Sequence, residues 1–362
     1  MATTRIFNFS AGPAVMPLPV LEQAQRDLVA LPGVGMSVME ISHRSKTFED
    51  ILARAIEDLR GLAGIDERYR ILMLQGGATL QFSMVPMNLL GAGQSADYID
   101  TGSWADKAAK EAKKVGTVNV TGSTKADSYN RIPAQGELTL TTGAAYVHIT
   151  TNNTIEGTEW QTLPSVGDAP LVADASSDML SRPIDVNRFG LIYAGAQKNL
   201  GPSGLTVVVV REDLIARSPD SLPVMLNYKV QAENNSLYNT PPTFGIYLFG
   251  LTMQWLKSLG GLAAIAAINE RKASALYAEI DRTGFYRGTA QKDSRSRMNL
   301  TFRLPSEELE KRFEKEATAQ GLDGLKGHRS VGGMRASIYN AFPEEGVAAL
   351  VQFMREFERT RG

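Results

Sequence analysis

Residues 189–210 read FGLIYAGAQKNLGPSGLTVVVV, and this stretch decides the fold class. Two nearly continuous apolar runs, each of strand length, flank a glycine-rich turn that carries Lys198. Such runs are typical of strands that are buried on both faces of a sheet. A lysine between two buried apolar runs is unusual, because an ammonium group is costly to bury without a partner and burial usually lowers its pKa. Lys198 is therefore a candidate functional residue.

Similar apolar runs recur from about residue 47 to residue 211 and alternate with helical patterns. The strand patterns are YRILMLQGG, ADYIDTG, AAYVHITTNN, APLVADASS and GLTVVVVRE, and the helical patterns are TFEDILARAIEDLRGLAG, ATLQFSMVPMNLL and WADKAAKEAKKVG. Gly61 and Gly64 are predicted to stop the first of these helices. Alternating strands and helices predict an α/β domain, in which ligands bind at the carboxyl ends of the strands.

The character of the sequence changes after the pair Gly260-Gly261. A long helical pattern, GLAAIAAINERKASALYAEIDRTG, is followed by the alternating runs RSRMNLTFRL and GGMRASIYN and by the surface-helix patterns SEELEKRFEKEATAQG and PEEGVAALVQFMREFER. This mixture predicts a smaller α+β domain. We expect a large domain of residues 15–260 and a small domain of residues 1–14 and 261–362.

Composition excludes several classes of protein. The 362 residues include 38 basic and 39 acidic side chains, and the formal net charge of -1 gives no sign of nucleic-acid or anionic-membrane binding. The absence of cysteine excludes disulfides, thiolate metal sites and a cysteine nucleophile, and no metal site is predicted. The start, MATTRIFNFSAGP, lacks the pattern of a secretory signal, and no apolar run approaches the roughly 20 residues of a membrane span. We expect a cytoplasmic protein.

Two residues at predicted strand ends suggest a cofactor. Asp174 directly follows the apolar run of APLVADASS, and Lys198 follows FGLIYAGAQ. A strand-terminal aspartate alone most often caps a turn or helix. Together, a desolvated lysine and a carboxylate suit pyridoxal phosphate, which needs an amine for its aldehyde and an acid against its pyridine nitrogen. A lysine whose stem packs while its head reaches solvent is the alternative.

A phosphate site should accompany that cofactor. In YRILMLQGGATLQF a strand, two glycines and a helix start follow one another, so the free backbone N–H groups of Gly77, Ala78 and Thr79 can face an anion. A Gly-Gly turn alone is equally typical of a tight turn. Trp104 follows another strand and can stack on a flat ring, or simply pack under a loop.

Two short segments concentrate cationic side chains. SHRS contains His43 and Arg44, and GHRSVGGMRAS contains His328, Arg329 and Arg335. Guanidinium groups match phosphates and carboxylates in two-point geometry, so these segments suit a small dianionic substrate. Surface ion pairing is the alternative.

Several long motifs, taken together, resemble one family. They are FNFSAGPA, SVMEISHRS, GGATLQF, DASSDMLSRPIDV, YAGAQKNLGPSGLTVVVVRED, YNTPPTFGIY and KGHRSVGGMRASIYNA. They resemble the phosphoserine aminotransferases, pyridoxal phosphate enzymes of fold type I in the class V aminotransferase group, over essentially the whole chain. The resemblance implies a mostly parallel seven-stranded sheet flanked by helices, plus a smaller α+β domain.

The resemblance also implies residue roles. Lys198 is similar to the lysine that holds the cofactor covalently, and Asp174 to the partner of the ring nitrogen. The other implied cofactor contacts are Gly77, Ala78 and Thr79 at the phosphate, Trp104 on the ring, Thr154 at the ring hydroxyl, and Ser176 and Gln197 at the phosphate. Some members carry an arginine in place of Thr79. Asn239 and Thr240 match residues that reach the cofactor of the neighbouring subunit, which implies a homodimer with active sites at the interface. The implied substrate contacts are Arg335 at the α-carboxylate, and His43, Arg44, His328 and Arg329 at the distal anion.

The implied reaction moves an amino group between L-glutamate and 3-phosphohydroxypyruvate and gives O-phospho-L-serine and 2-oxoglutarate, in L-serine biosynthesis. Whether the chain also acts on 4-phosphohydroxythreonine in pyridoxine biosynthesis, as some relatives do, is left open by the sequence. A serine–pyruvate or alanine–glyoxylate aminotransferase would keep Lys198 and Asp174 without needing the second cationic segment. A nicotinamide-dependent dehydrogenase would need G-x-G-x-x-G after its first strand, which is missing there. A non-catalytic binding protein on this fold would be expected to have lost Lys198 or Asp174.

Overall fold

The computed structural model describes residues 5–362, so residues 1–4 of the predicted small domain lie outside the described residues. The helices are α1 (Leu18–Asp27), α2 (Lys46–Ala63), α3 (Gly77–Leu89), α4 (Ser103–Ala112), α5 (Glu212–Ile215), α6 (Tyr228–Glu233), α7 (Thr243–Ser258), α8 (Gly261–Ile280), α9 (Glu307–Ala319) and α10 (Glu344–Arg361). The strands are β1 (Phe7–Asn8), β2 (Tyr69–Leu74), β3 (Ser95–Asp100), β4 (Thr117–Ser123), β5 (Val147–Thr150), β6 (Asn152–Asn153), β7 (Thr158–Glu159), β8 (Leu171–Asp174), β9 (Leu191–Gly195), β10 (Thr206–Arg211), β11 (Arg287–Gly288), β12 (Asn299–Arg303), β13 (Leu322–Asp323) and β14 (Met334–Ser337).

The central sheet has seven strands in the order β2-β10-β9-β8-β5-β3-β4. β10 runs antiparallel to both of its neighbours, and the other neighbouring pairs are parallel. The strands other than β10 therefore end at one edge of the sheet. The predicted mostly parallel, seven-stranded α/β sheet is confirmed. Ligand-binding residues are expected at this shared edge, where several polar strand ends and helix starts meet.

Helices cover both faces of the sheet. The valines of β10 alternate, with Val207 and Val209 in one hydrophobic cluster and Val208 and Val210 in another. The first cluster includes Leu52 of α2 and many residues of α7, and the second includes residues of α3 and α4. The near-continuous apolar runs of the sequence follow from this arrangement, since both faces of each central strand are buried.

A third hydrophobic cluster joins Phe9 to residues between Ala273 and Phe357. It packs beside a three-stranded antiparallel sheet of β11, β12 and β14. The long helix α8 contributes to two clusters, with Ile265 in the first and Leu276 in the third. The division of the chain at residue 261 stays a prediction, and the separate third cluster supports it.

Glycine conformations set several element ends. α2 ends where Gly64 adopts a left-handed conformation with φ 60° and its N–H bonds the carbonyl of Arg60. The predicted stop at Gly61 is wrong, because α2 continues through it to Ala63. Gly76 and Gly77 have φ of 89° and 66°, which lets the chain turn sharply from β2 into α3.

Helices α7 and α8 meet at an angle of 82° across a short break. Within residues 5–362, no helix is by itself long and apolar enough to cross a membrane, and these two meet that test of length and composition only as a bent pair. Gly260, at the break, has φ 97°. Ile246 and Phe249 of α7 and Ile265 of α8 are buried in the first hydrophobic cluster.

Candidate active site

Most of the predicted cofactor contacts meet at the carboxyl edge of the central sheet. They line a cavity of about 120 Å³ together with three residues that the sequence did not single out. The lining residues are Gly77, Ala78, Thr79, Trp104, Thr150, Asn152, Thr154, Asp174, Ser176, Ser177, Gln197 and Lys198. Each group follows a different strand, namely β2, β3, β5, β8 and β9. The parallel arrangement brings these separate segments together, as expected for an open α/β sheet.

Lys198 lies in the turn after β9, with its side chain inside the cavity. Its Nζ donates to Thr154 Oγ1 at 2.7 Å and to Ser177 Oγ at 2.6 Å. The two hydroxyl oxygens are themselves 2.5 Å apart. These contacts hold the amine in one place, and both of its acceptors are neutral, so the site lacks a carboxylate bonded directly to the ammonium.

The electrostatics of the cavity favour the neutral amine. Burial lowers the pKa of Lys198 to about 8 from an ordinary 10.5. The negative charge of Asp174 opposes this effect, and the positive charge of Arg335 adds to it. A neutral amine is the form that attacks an aldehyde, so the cavity prepares Lys198 for covalent chemistry near neutral pH.

Asp174 is the last residue of β8 and is buried. Its Oδ1 accepts the backbone N–H of Ser176 at 3.0 Å. Burial raises its pKa, while the Ser176 contact and the charge of Lys198 oppose that rise. A carboxyl group placed in this way is suited to share a proton with a ring nitrogen that enters the cavity.

The start of α3 lines the cavity with a cradle of backbone N–H groups that is suited to an anion. Gly77, Ala78 and Thr79 belong to the first turn of the helix, where backbone N–H groups lack partners within the helix and the helix dipole is positive. Gly77 carries no Cβ to obstruct the approach, and a Cβ built there would have open space around it. The Thr79 side chain is exposed and adds a hydroxyl to the cradle.

Trp104 lies in the first turn of α4 and is partly buried. Its ring packs against Phe82, with the ring centroids 6.4 Å apart. The start of α4 is fixed by Glu156, whose Oε1 accepts from Ser103 N at 2.8 Å and from Ser103 Oγ at 2.6 Å. Lys107, one turn later, places its Nζ 4.1 Å from the centre of the Trp104 ring.

Among the predicted substrate contacts, Arg335 contacts the cavity lining, and His328 lies close enough to Arg335 to be affected by its charge. Arg335 on β14 is partly buried, and its Nη1 donates to the Thr154 carbonyl at 3.2 Å, while its Nε has no hydrogen-bond partner among the described residues. Burial lowers the pKa of His328, and the charges of Arg335, Lys107 and Arg329 lower it further. His328 Nδ1 is 2.7 Å from Ser330 Oγ. The positive charges of Arg335, Arg329 and Lys107 therefore all act on His328.

Four further predicted residues, like Arg335, His328 and Arg329, are not part of the cavity lining of this single chain. His43 and Arg44 precede α2, and Asn239 and Thr240 lie in the loop before α7. Arg44 and Thr240 are exposed, and the buried Nε2 of His43 is without a hydrogen-bond partner in residues 5–362. Asn239 Nδ2 donates only to the neighbouring Thr240 carbonyl, at 3.1 Å. The structure does not bring these four to the cavity of their own chain.

The sequence reasoning missed several residues at the site. Ser177, rather than its neighbour Ser176, accepts from Lys198, while the Ser176 hydroxyl accepts the Gly195 N–H at 3.1 Å. The DASS motif placed two hydroxyls after the strand and could have indicated both. Thr150 and Asn152 also line the cavity, and Thr150 Oγ1 is buried without a hydrogen-bond partner among the described residues.

The N-terminal motif FSAGPA covers the lysine turn. The Ala14 N–H donates to the Gln197 carbonyl at 2.8 Å. Gly12 has φ 147°, and a Cβ there would lie 3.6 Å from Lys198 Cγ. This segment closes one side of the site, a role that its sequence alone did not reveal.

Size does not identify the site, because larger clefts exist elsewhere. One of about 850 Å³ is lined by residues from Leu89 to Arg217 that include one arginine and one aspartate. Its arginine, Arg217, donates to the Ala145 carbonyl at 3.0 Å. The cavity around Lys198 is distinguished by its chemistry instead.

The residues around Lys198 fit pyridoxal phosphate. The cavity offers an amine, a buried carboxyl, an indole, a cradle of helix N–H groups and the unpartnered hydroxyl of Thr150. These match the aldehyde, ring nitrogen, ring face, phosphate and ring substituents of that cofactor in turn. Lys198, Asp174 and Trp104 would hold its ring, and the cradle at the start of α3 its phosphate.

Comparison with known proteins gives consistent matches over nearly the whole chain. Residues 6–350 match the family described as Aminotransferase class-V. The chain is 56% identical over 358 residues to a phosphoserine aminotransferase of Herpetosiphon aurantiacus, covering 99% of both chains. Its structure is similar to that of phosphoserine aminotransferase from Bacillus circulans subsp. alkalophilus, with a TM-score of 0.98 and 54% identity, covering 99% of this chain and 100% of that one. A phosphoserine aminotransferase from Trichomonas vaginalis, solved with bound pyridoxal phosphate, gives a TM-score of 0.93 at 42% identity, covering 97% of this chain and 100% of that one.

Proposed function

Because the chain belongs to the class-V aminotransferase family, we propose that it transfers an amino group between L-glutamate and 3-phosphohydroxypyruvate. The products would be 2-oxoglutarate and O-phospho-L-serine, in L-serine biosynthesis. Its cofactor is pyridoxal phosphate and its reaction class is aminotransfer. The choice of the two substrates is the proposal, and the name shared by its relatives at 54–56% identity supports it.

One structural observation carries the choice of a dianionic substrate. Arg335 contacts Thr154 of the cavity lining, and the charges of Arg335 and Arg329 both act on His328. A substrate with a carboxylate at one end and a phosphate or second carboxylate at the other needs two cationic contacts. An aminotransferase for alanine or glyoxylate needs only the contact to the α-carboxylate. Arg329 supplies the extra cation and His328 an additional hydrogen-bonding group, which favours glutamate and a phosphorylated keto acid.

The residues at the cavity can perform this reaction in named roles. When bound, pyridoxal phosphate supplies a carbonyl that carries the amino group and a ring that accepts electrons from the substrate α-carbon. Lys198 would hold the cofactor through its amine, and in its free form that amine would take a proton from the substrate α-carbon and later return it. Asp174 keeps the ring nitrogen protonated, and Arg335 binds and orients the α-carboxylate.

Proton transfer by Lys198 depends on its lowered pKa. An amine with a pKa of about 8 can both accept and return a proton near neutral pH, whereas an ordinary lysine stays protonated. Thr154 and Ser177 hold the amine at 2.7 and 2.6 Å while it is free. The same group therefore serves both halves of a reversible cycle.

The proposal includes a cytoplasmic homodimer with active sites at the subunit interface. Exposed apolar side chains between α1 and α2 support it, including Val29, which is 84% exposed, and Met39, which is 61% exposed. Exposed apolar side chains are typical of association surfaces. His43 and Arg44 follow this segment in the sequence, and an adjoining second copy would bring these side chains, or Asn239 and Thr240, to the partner's cavity.

Mixing two inactive variants tests the shared site. In a mixed dimer of Lys198→Ala with an Asn239→Ala, Thr240→Ala double variant, one of the two sites has every required group. We therefore expect activity to return on mixing and subunit exchange. A monomer by light scattering, or no recovery from a confirmed mixed dimer, would contradict shared sites.

Separate half-reactions test the choice of substrates. Adding L-glutamate to the loaded protein should change the visible absorption of the cofactor, and 3-phosphohydroxypyruvate should restore it. Pyruvate and glyoxylate should restore it much more slowly. Equal restoration by pyruvate would refute a phosphorylated substrate and favour a serine–pyruvate or alanine–glyoxylate type of activity. Using 4-phosphohydroxythreonine as the amino donor in the same assay tests the activity in pyridoxine biosynthesis.

A further inference from the structure

Lys107 stands out among the lysines of α4. Its Nζ lies 4.1 Å from the centre of the Trp104 ring, which lines the cofactor cavity. A side chain in a helix points back toward the N-terminus, so Lys107 reaches from the second turn of α4 toward the cavity mouth. The flat indole face attracts the ammonium and holds the flexible side chain there.

The ammonium of Lys107 forms no ion pair with a carboxylate among the described residues. Across residues 5–362, Lys107 makes no ion pair and no side-chain hydrogen bond, although its neighbours do. Lys110 Nζ lies 2.5 Å from Asp106 Oδ2, and Lys114 Nζ lies 2.7 Å from Glu111 Oε1. Asp106 is the acid closest in sequence, and it is taken by Lys110 and, at 3.8 Å, by Lys125. The N–H groups of Lys107 are therefore available to a ligand.

Lys107 lies near the predicted distal-anion group as well as beside Trp104. Its charge is close enough to His328 to depress the pKa of that imidazole, alongside burial and the charges of Arg335 and Arg329. These cations come from two separate parts of the chain, one on α4 and the others in the segment around β14. Glu156 acts on Arg335 with the opposite charge, but Lys107, Arg329 and Arg335 leave an excess of positive charge, which favours an anion there.

We propose that Lys107 binds the distal anionic group of the substrate, opposite His328 and Arg329. This inference rests on the proposed function, because it needs a substrate with a charged group remote from the reacting carbon. Lys107 would act as a third donor to the phosphate of the keto acid and to the distal carboxylate of glutamate. Trp104 would then contribute to both parts of the site, because its ring lines the cofactor cavity and also positions Lys107, which would bind the substrate.

The test compares Lys107→Met with Lys107→Arg and with a matched control, Lys110→Met, in the protein loaded with cofactor. Lys110 lies on the same helix and is also exposed, so its variant reports any loss of helix stability. For Lys107→Met we expect KM for 3-phosphohydroxypyruvate to rise about tenfold, the loss typical of one charge-assisted hydrogen bond at a partly open site. KM for glutamate should also rise, kcat should change little, and Lys107→Arg should recover most of the affinity.

Two further readouts separate substrate binding from a structural role. Added salt should raise KM for the phosphorylated keto acid less in Lys107→Met than in the unmodified protein, because one charge contact is already gone. The variant's rate with pyruvate should not fall. An unchanged KM for the phosphorylated substrate, or an equal loss with pyruvate, would overturn the role of Lys107. If the unmodified protein itself does not prefer the phosphorylated keto acid, the proposed function fails instead.

Discussion

The pKa of Lys198 can be moved in opposite directions by two substitutions. In the folded protein its pKa is lowered to about 8; burial is the main cause, the charge of Arg335 adds to the lowering, and the charge of Asp174 opposes it. At pH 8 about half of the Lys198 amines would be neutral, compared with about 0.3% at the ordinary value of 10.5. Arg335→Met removes a positive charge that destabilises the protonated form of Lys198, so the pKa of Lys198 rises. Asp174→Asn removes a negative charge, so the pKa falls.

The expected size of each change is about one pH unit, which corresponds to a charge interaction of about 1.4 kcal/mol in a partly buried site. Limiting acetic anhydride reacts only with neutral amines, so its reaction with Lys198 in cofactor-free protein, measured by peptide mass spectrometry across pH, gives the midpoint directly. Lys110, whose pKa is raised by its hydrogen bond and charge interaction with Asp106, is the internal control and should titrate at high pH in all three proteins. A midpoint near 10.5 for Lys198, or the same midpoint in both variants, would refute this electrostatic account.

Three more substitutions test the fold and the cofactor site. Lys272→Met leaves three buried carbonyls without their shared donor, so unfolding in urea should show a loss of about 3 kcal/mol, and an unchanged midpoint would contradict it. Thr79→Arg adds a guanidinium to the exposed cradle and should slow loss of the cofactor on dialysis about tenfold. An unaltered rate of loss would show that the added guanidinium does not bind the cofactor phosphate. Gly102→Ala places a Cβ 2.7 Å from Glu156 Oε2, so Trp104 should shift. Titration of the protein with cofactor should then show about tenfold weaker binding. Wild-type affinity would show that the helix start accommodates a methyl group.

The sequence predicted the fold class, the family and most strands and helices correctly, because the buried strands are apolar on both faces and several helices, such as α2 and α4, are strongly amphipathic. It did not single out β4, an edge strand of mixed composition, or α7, whose apolar residues lack a clear periodic face. The order of the strands and the antiparallel direction of β10 depend on contacts between distant segments. Local patterns do not contain that information.

The two buried lysines, Lys198 and Lys272, show which features of the site cannot be predicted from the local sequence. Lys272 lies in a polar stretch of α8, yet it is 1% exposed and donates to the carbonyls of Ile338, Tyr339 and Phe342. Lys198 was recognised from its apolar surroundings, but burial alone does not separate it from Lys272. The difference is that Lys198 opens into a cavity beside Asp174, with hydroxyl partners supplied by other strands.

The most direct test of the account is to identify the lysine that holds the cofactor. Pyridoxal phosphate is added to the protein, sodium borohydride fixes it to the amine that carries it, and the labelled peptide is found by mass spectrometry. The account predicts one label per chain, on Lys198, and none in Lys198→Ala. A label on Lys272, on Lys107 or spread over surface lysines would contradict the central claim that the carboxyl edge of the sheet prepares Lys198 for this chemistry.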